Sequence, residues 1–301
     1  MSGLGSWRIG GPADWLVQPD TPEQLACLLR RLKQLGLPWV MIGQGTNLLF
    51  DDDGLRGVAI RLGPGFARCR IDGNRICAGA ALWVPALARC AQKHGLAGFE
   101  HIIGIPGTLG GLLVMNGGSN RRAIGEQVET LSLVDFEGRP RQITAAECDF
   151  GYRTSNLAGQ GLIFEACLHG TPASPAAIRR AMLADLRARR RFPRKQPNCG
   201  SVFLSSAEMH AEVGPPGLLI EQAGLKGARI GGAMVSPRHA NFIVNAGGAS
   251  CRDVLSLIDL VRREVERRTG YLMGCEVRYV APDGRMMPAH QALDTHQNSG
   301  S

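Results

Sequence analysis

The spacing of apolar residues predicts a helix between two strands near the start of the chain. Leucines recur at three- and four-residue intervals through residues 25–35, which is the period of an amphipathic helix, and Gly36 ends the pattern. Thr21 stands where a helix N-cap is expected. The apolar segments at 15–17 and 39–42 are typical of strands. We therefore predict a small β-α-β unit.

Similar patterns continue to about residue 280. Further helices are predicted at 82–94, 174–186 and 250–265, and further strands at 57–62, 128–135, 141–143, 162–168, 241–245 and 275–280. Residues 171–175 form the best linker candidate, and the chain turns polar from Ala281. We therefore expect an α+β protein with a first domain over 1–170 (subdomains about 1–63 and 64–170), a C-terminal domain over 176–280 and a disordered tail over 281–301.

Composition and charge narrow the classes of function. The formal net charge of +8 would attract nucleic acid, membrane headgroups or a phosphorylated small molecule. Aromatic residues make up only 5% of the chain, which gives few platforms for stacking single-stranded bases. Apolar runs stay well short of the ~18 residues that a membrane span needs. We therefore favour an enzyme with a basic surface, and expect no nucleic-acid or membrane partner.

The nine cysteines indicate a reducing compartment. They are scattered, and no two of them form a Cys-x-x-Cys pair, so we expect no structural zinc site. The first residues contain no apolar run of signal-peptide length. We therefore expect free thiols and a cytoplasmic location.

Two glycine-rich segments are candidates for a phosphate-binding site. Gly43-Gln44-Gly45-Thr46-Asn47 follows a predicted strand and could aim several backbone N–H groups at a pyrophosphate. Leu48 stands where the dinucleotide fingerprint has its third glycine, so a plain turn fits about as well. Residues 104–111 hold four glycines and a proline, which argues against regular helix. This segment is either a tight connection or a second loop against the same cofactor.

Three further segments contain polar residues that could carry chemistry. Arg153, in a glycine- and tyrosine-flanked turn, could form two parallel hydrogen bonds with a carboxylate or phosphate. An ordinary surface arginine would fit the same sequence. Ser201 enters a strand without the pattern of a hydrolase nucleophile, which favours a proton donor over a nucleophile, with a capping serine as the alternative. Glu276 and Arg278 share one face of a strand, where a structural salt bridge is also common.

In this order, these segments resemble the UDP-N-acetylenolpyruvoylglucosamine reductase family. The resemblance runs from about Trp7 to Val280 and so covers nearly the whole chain. The stretches that carry it are residues 8–13, 43–49, 104–111, 115–116, 151–153, 200–203, 224–227, 231–233, 239–242 and 276–278. Each motif is modest alone, but their order and spacing make the set specific.

The resemblance implies a fold and an activity. It implies a two-part FAD-binding domain of the vanillyl-alcohol-oxidase type and a C-terminal α+β substrate domain. The implied reaction is reduction of UDP-N-acetylenolpyruvoylglucosamine to UDP-N-acetylmuramate in peptidoglycan precursor synthesis. NADPH reduces FAD, and the flavin then passes a hydride to the vinyl carbon of the UDP-sugar. The expected state is a monomer without a metal.

The resemblance also assigns roles to individual residues. Arg153 and a protonated or cation-bridged Glu276 would stabilise an enolate-like intermediate, and Ser201 would protonate the carbanion, so we expect these three to meet at the flavin. The residues assigned to FAD are Gly43, Gln44, Gly45, Thr46, Asn47, Leu48, Ile105, Pro106, Gly107, Thr108, Gly110, Gly111 and Asn116. The residues assigned to the substrate are Tyr152, Arg194, Lys195 and Lys226.

The chain departs from the family pattern near the substrate residues. Leu204, Ser205 and Ser206 stand where the family commonly has Lys-Asn-Pro, which puts one asparagine contact in doubt. Cys275 takes a usual proline position. There is no long insertion carrying a tyrosine, which matches the subgroup without that loop.

Other functions remain open at this stage. An FAD-linked oxidase of the same fold would not need Arg153, Ser201 and Glu276. A non-catalytic flavin or nucleotide-sugar binding protein is supported only by the departure at 204–206. Nucleic-acid binding rests on the net charge and the arginine run at 187–195, and the chain has no recognition motif for it.

Overall fold

The computed structural model describes residues 1–193, 195–205 and 207–292. The helices are α1 (Pro22–Leu35), α2 (Val84–Lys93), α3 (Leu109–Val114), α4 (Pro175–Ala188), α5 (Ala207–Glu212), α6 (Pro216–Gln222) and α7 (Cys251–Thr269). The strands are β1 (Ala13–Val17), β2 (Trp39–Met41), β3 (Leu48–Phe50), β4 (Leu55–Ile60), β5 (Cys69–Asp72), β6 (Arg75–Gly79), β7 (Leu96–Ala97), β8 (Val128–Val134), β9 (Pro140–Thr144), β10 (Leu162–His169), β11 (Thr171–Pro172), β12 (Arg229–Ile230), β13 (Ala233–Val235), β14 (Ile243–Asn245), β15 (Arg278–Val280) and β16 (Met286–Pro288).

The chain divides into two compact units. The first unit comprises Met1–Trp15, Gly45–Val58 and the chain from Arg191 onward, and the second comprises Leu16–Gln44 and Ala59–Arg190. The expected boundary at 171–175 therefore differs from the one observed, because α4 belongs to the second unit. Two hydrogen bonds hold α4 and its end there: Gln92 Nε2 donates to Pro175 O at 3.1 Å, and Arg189 Nη1 to Gly104 O at 3.1 Å.

The core of the second unit is built on an antiparallel five-stranded sheet. Its order is β5-β6-β10-β8-β9, with pairings such as Cys167 opposite Cys77 and Leu131 opposite Ile143. The strands predicted at 128–135, 141–143 and 162–168 are therefore confirmed. The predicted helix at 25–35 is confirmed as α1, which begins after Thr21, whose Oγ1 accepts a hydrogen bond from Gln24 N at 3.3 Å.

Contrary to the sequence prediction, the last residues of the second glycine-rich segment form regular helix. Gly110 and Gly111 lie inside α3. Thr108 caps this helix, and its Oγ1 accepts a hydrogen bond from Gly111 N at 3.5 Å. A Cβ added to Gly110 would lie 3.2 Å from the Cβ of Ala80, so the missing side chain permits close packing. Capping and the burial of Leu109 offset the low helix propensity of glycine.

The expectation of free thiols throughout the chain is also wrong. Cys77 and Cys167 form a disulfide across the β6–β10 pair, where they are register partners. Direct register partners on neighbouring antiparallel strands bring their Cβ atoms within about 4.5–5.5 Å, which is close to the separation that a disulfide spans. Spacing along the chain gives no hint of this pairing, because 90 residues separate the two cysteines.

The first unit is organised around α7. Ser250 and Asp253 form a reciprocal capping box at its start, with hydrogen bonds of 3.0 Å in each direction. Asp52 Oδ1 accepts a further hydrogen bond from Cys251 N at 2.8 Å. The apolar stripe of α7 is buried, as predicted: Val254, Leu257, Ile258, Val261 and Val265. It belongs to a core that also includes buried residues of the sheets β12-β13-β14 and β16-β15-β3.

The prediction of a disordered tail from residue 281 is wrong for residues 281–292. Strand β16 pairs antiparallel with β15, and Ala289 and Ala292 are fully buried. Apolar anchors spaced among polar residues were enough to fix this segment. Residues 293–301 lie outside the described part of the chain. None of the described helices is both long and apolar enough to cross a membrane.

Candidate functional site

The first glycine-rich segment needs its glycines for close approach. A Cβ added to Gly43 would lie 2.4 Å from Thr108 Oγ1, a distance at which one of the two groups must move. Gly45 has a φ of +59°, and a Cβ there would lie 2.2 Å from the carbonyl oxygen of Leu4. Side chains at these two positions are therefore excluded by different neighbours, which favours a shaped loop over an ordinary turn.

The second glycine-rich segment lies beside Gly43 within the second unit. Gly107 has a φ of +134°, and its carbonyl accepts a hydrogen bond from Val84 N at 3.0 Å. Among the described residues, the backbone N–H groups of Gln44, Gly107 and Thr108 donate to no other protein group. Closely packed loops with open backbone donors and no intervening side chains suit a pyrophosphate, so these residues fit the diphosphate of FAD.

Asn116 links two parts of the second unit through its side chain. It is buried, with a φ of +40°. Its Nδ2 donates to Gly151 O at 2.8 Å, and its Oδ1 accepts from Gly125 N at 2.9 Å. The carboxamide is therefore engaged with the turn that carries Arg153. Its direct contact with FAD stays a prediction.

Arg153 occupies a strained turn. Gly151 and Thr154 form an antiparallel bridge, and Arg153 between them has a φ of +56°. Its guanidinium donates to Gly118 O at 2.8 Å and lies 5.3 Å from the ring centroid of Tyr152. A left-handed backbone conformation at a non-glycine residue has a cost, and such residues cluster at functional sites. Tyr152 itself is 59% exposed, so its ring is available to a ligand.

Ser201 and Glu276 lie on two paired backbone segments of the first unit. The backbone N–H of Glu276 donates to Val202 O at 2.8 Å, and Phe203 forms an antiparallel bridge with Cys275. The structure therefore brings these two predicted catalytic residues together, both half-buried. Arg153 belongs to the second unit, where the turn described above holds it.

Burial alternates along the Glu276 segment, but the strand predicted over 275–280 begins only at Arg278, and residues 276–277 form a bend. Cys275 and Val277 are buried, whereas Glu276 and Arg278 are half-buried. Asn47 holds this segment at two points: its Nδ2 donates to Glu276 O at 3.1 Å, and its carbonyl accepts from Arg278 N at 3.0 Å. Asn47 was predicted to bind FAD, and its side chain serves the backbone beside Glu276.

Asn241 is a residue of the site that sequence reasoning missed. Its carboxamide brackets Phe203, accepting from Phe203 N at 2.9 Å and donating to Phe203 O at 3.0 Å. Its own carbonyl accepts from Val202 N at 2.9 Å. The Ser201 segment is thus fixed by a buried amide. A polar residue inside the apolar run from Ala240 to Val244 was the available sign.

The predicted substrate residues of the first unit differ in their surroundings. Lys226 forms an ion pair with Glu221 at 2.5 Å, and Lys195 is exposed. Arg194 lies outside the described residues. The pKa of His239 is lowered, first by burial and then by the positive charges of Arg191 and Lys226. The electrostatic potential around His239 is therefore positive, which suits the binding of an anion.

Comparisons with known proteins agree with this arrangement. Residues 13–144 match the FAD binding domain, and residues 192–280 match the C-terminal domain of UDP-N-acetylenolpyruvoylglucosamine reductase. UDP-N-acetylenolpyruvoylglucosamine reductase 1 of Corynebacterium glutamicum is 45% identical over 293 residues, covering 97% of this chain and 88% of that one. The reductase of Heliobacterium modesticaldum is 41% identical, covering 99% and 94%.

A solved structure gives the same result. The crystal structure of the reductase from Thermus caldophilus is similar, with a TM-score of 0.79 and 31% identity over 92% of this chain and 96% of that one. An FAD-binding domain joined to a reductase C-terminal domain defines an FAD-dependent oxidoreductase. The chain belongs to the UDP-N-acetylenolpyruvoylglucosamine reductase family. The resemblance and fold class inferred from the sequence are confirmed.

Proposed function

We propose that this chain reduces UDP-N-acetylenolpyruvoylglucosamine to UDP-N-acetylmuramate with NADPH, as a step in making peptidoglycan precursors. Membership of the reductase family supports the substrate, and the matched FAD-binding domain supports a flavin route. FAD, which the two glycine-rich segments would hold, would supply hydride-transfer chemistry between NADPH and the vinyl methylene carbon of the enol ether. The chain's own residues would bind the substrate and manage the charge and the proton.

Charge stabilisation is the role proposed for Arg153 and Glu276. Hydride addition to the vinyl carbon leaves negative charge on the neighbouring carbon and on the carboxylate it bears. A fixed cation and a hydrogen-bond donor aimed at that charge lower the barrier. Arg153 has the rigid fork for a carboxylate, and its backbone turn fixes its direction. Glu276 helps an anion only when it is protonated or bridged to a cation.

Proton delivery is the role proposed for Ser201. After hydride addition, one proton is needed to saturate the second carbon. The Ser201 hydroxyl gives that proton and is reprotonated from water. A serine hydroxyl is a weak acid, so it serves here because the carbanion is a strong base. Its position beside the Glu276 segment is consistent with two groups acting on one reacting carbon.

Substrate binding is proposed for cationic and aromatic groups. Lys226, Lys195 and Arg194 would offset the charge of the UDP diphosphate, and Tyr152 would cover part of the sugar nucleotide. The lowered pKa of His239 beside Lys226 is consistent with a positive potential in this region. Lys226 is half-buried, so its ammonium is restricted in the conformations it can adopt.

The observation that carries the proposal is the pairing of the Ser201 and Glu276 segments through Glu276 N and Val202 O. The test is the visible spectrum of the purified protein under anaerobic conditions. NADPH should bleach the flavin bands, and the enolpyruvyl sugar nucleotide should restore them with formation of UDP-N-acetylmuramate. A flavin that is reoxidised only by oxygen would indicate an oxidase. A protein that takes up no FAD would indicate a non-catalytic relative.

A further inference from the structure

The chain continues past the part that matches the family's C-terminal domain. That match ends at residue 280, and the next twelve residues are described. Strand β16 pairs with β15, with Arg278 opposite Pro288. Ala289 is fully buried, and its backbone N–H donates to Val277 O at 2.9 Å. Residues 286–292 are therefore packed along the backbone that carries Glu276.

One side chain of this segment reaches that backbone. The Nδ1 of His290 accepts a hydrogen bond from Cys275 N at 3.0 Å. An imidazole nitrogen accepts only when it carries no proton, so this contact requires a neutral ring with its proton on Nε2. Cys275 is buried, being 3% exposed, so water cannot easily replace the acceptor for its N–H.

The His290 contact and the Val202 contact hold consecutive residues of one segment. Glu276 N donates to Val202 O, while Cys275 N and Val277 O, on either side of Glu276, are bonded to His290 and Ala289. Glu276 and Val277 lie in a bend of the backbone, so the position of Glu276 depends on these bonds to its neighbours. Loss of the His290 acceptor would release the backbone N–H of the residue immediately before Glu276.

We propose that His290 is a positioning residue for Glu276, which it acts on through the backbone of Cys275. The proposal rests on the proposed function, because it takes Glu276 as a group that stabilises charge in product formation. His290 fixes the position of the Glu276 carboxyl by fixing the backbone of the preceding residue. A misplacement of about 1 Å at a reacting group costs on the order of 10²-fold in rate.

Three substitutions separate positioning from general stability. His290→Asn places an amide oxygen near the position of Nδ1 and keeps an acceptor for Cys275 N. His290→Gln places the amide one carbon further out, and His290→Leu removes the acceptor. Flavin reduction by NADPH and flavin reoxidation by the enolpyruvyl substrate are measured separately by anaerobic stopped flow, with the unfolding midpoint of each variant.

The expected result is a split between the half-reactions. His290→Leu and His290→Gln should slow substrate-driven reoxidation by about tenfold to a hundredfold, with NADPH-driven reduction unchanged. His290→Asn should restore most of the reoxidation rate. The proposal is overturned if all three variants match the wild type, if asparagine is no better than glutamine, or if both half-reactions fall together. The polar glutamine variant preserves the test where leucine prevents folding.

A parallel variant distinguishes failure of this proposal from failure of the proposed function. Glu276→Gln should impair reoxidation at least as much as His290→Leu. If Glu276→Gln leaves reoxidation unchanged, the role of Glu276 is wrong and the proposed mechanism fails with it. If Glu276→Gln impairs reoxidation and the His290 variants do not, only the positioning role of His290 is wrong.

Discussion

The backbone N–H of Glu276 donates to the carbonyl of Val202 at 2.8 Å, so the residue after Ser201 and the proposed charge-stabilising residue are joined directly. Val202 and Glu276 are 74 positions apart in the chain. A backbone bond of this kind sets the spacing of the two backbone segments that carry Ser201 and Glu276. The two proposed roles in the first unit therefore depend on one isolated β-bridge and its neighbouring hydrogen bond.

Ser201→Ala should separate the two halves of the reaction. Removing the hydroxyl removes the proposed proton donor but leaves the FAD-binding segments intact. NADPH-driven flavin bleaching should be unchanged, and product formation should fall by about 10²–10⁴-fold, the usual contribution of a positioned acid. Stopped-flow absorbance and product analysis measure the two steps. Ser256→Ala, on α7 of the same unit, is the matched control. Equal loss of both steps would contradict the proton-donor role.

Asn241→Ala should loosen the Ser201 segment. Both backbone groups of Phe203 would lose a buried partner, and each unsatisfied group costs about 1–3 kcal/mol. The free energy of unfolding in urea should fall by about 3 kcal/mol, and substrate-driven reoxidation should slow. Asn74→Ala, whose side chain is exposed in a turn, is the control. A variant with unchanged stability would mean that the bracket around Phe203 is dispensable.

Gly43→Ala should weaken FAD binding. A methyl group at this position would lie 2.4 Å from Thr108 Oγ1, so Thr108 and the second glycine-rich segment must shift. The dissociation constant for FAD should rise by at least about tenfold, or about 1.4 kcal/mol. Quenching of flavin fluorescence on titration with apoprotein measures it. Gly159→Ala is the control, because a Cβ there meets no atom within 4 Å. Equal affinities in the two variants would remove the first glycine-rich segment from the FAD site.

Sequence patterns predicted the elements with strong local causes. The capped helix after Thr21 and the apolar stripe of α7 were both found, because capping and helical periodicity act within a few residues. The unit boundary was misplaced, because α4 is held by contacts to Gln92 and Gly104 that no linker composition reveals. The Cys77–Cys167 pairing depends on strand register, which is likewise a long-range property.

The sequence motifs predicted candidate site residues but not the residues that support them. Ser201 and Glu276 belong to recognisable motifs, and the structure pairs their backbones. Asn241 and His290 were missed because each acts through a backbone group distant in the chain, and the position of Asn241 inside an apolar run was the only local sign of either. FAD binding by Asn116 and Asn47 stays a prediction, and their side chains also bond to the backbones of Gly151 and Glu276. Polar residues in a motif can serve its geometry as well as its ligand.

His101 should make the stability of the protein fall on mild acidification. Its ring is 2% exposed, and both ring nitrogens are buried. Burial, followed by the positive charge of Arg122, lowers the pKa of His101 to about 4. Glu126, Glu100 and a backbone hydrogen bond to Gly98 raise the pKa of His101 but do not offset the loss of hydration. The folded protein therefore resists protonation at this position.

The direction of the stability change with pH follows from proton binding in the folded and unfolded states. Between pH 6.5 and about 4 the unfolded chain binds a proton at His101 and the folded chain does not, so stability falls as the pH falls through this window. The full effect is about 3 kcal/mol, since one pKa unit corresponds to about 1.4 kcal/mol. Urea unfolding at pH 7 and pH 4.5 should show a smaller difference for His101→Leu than for the wild type. His210→Gln, at an exposed histidine, is the control and should retain the wild-type difference. If His101→Leu loses as much stability as the wild type between these pH values, another group is responsible.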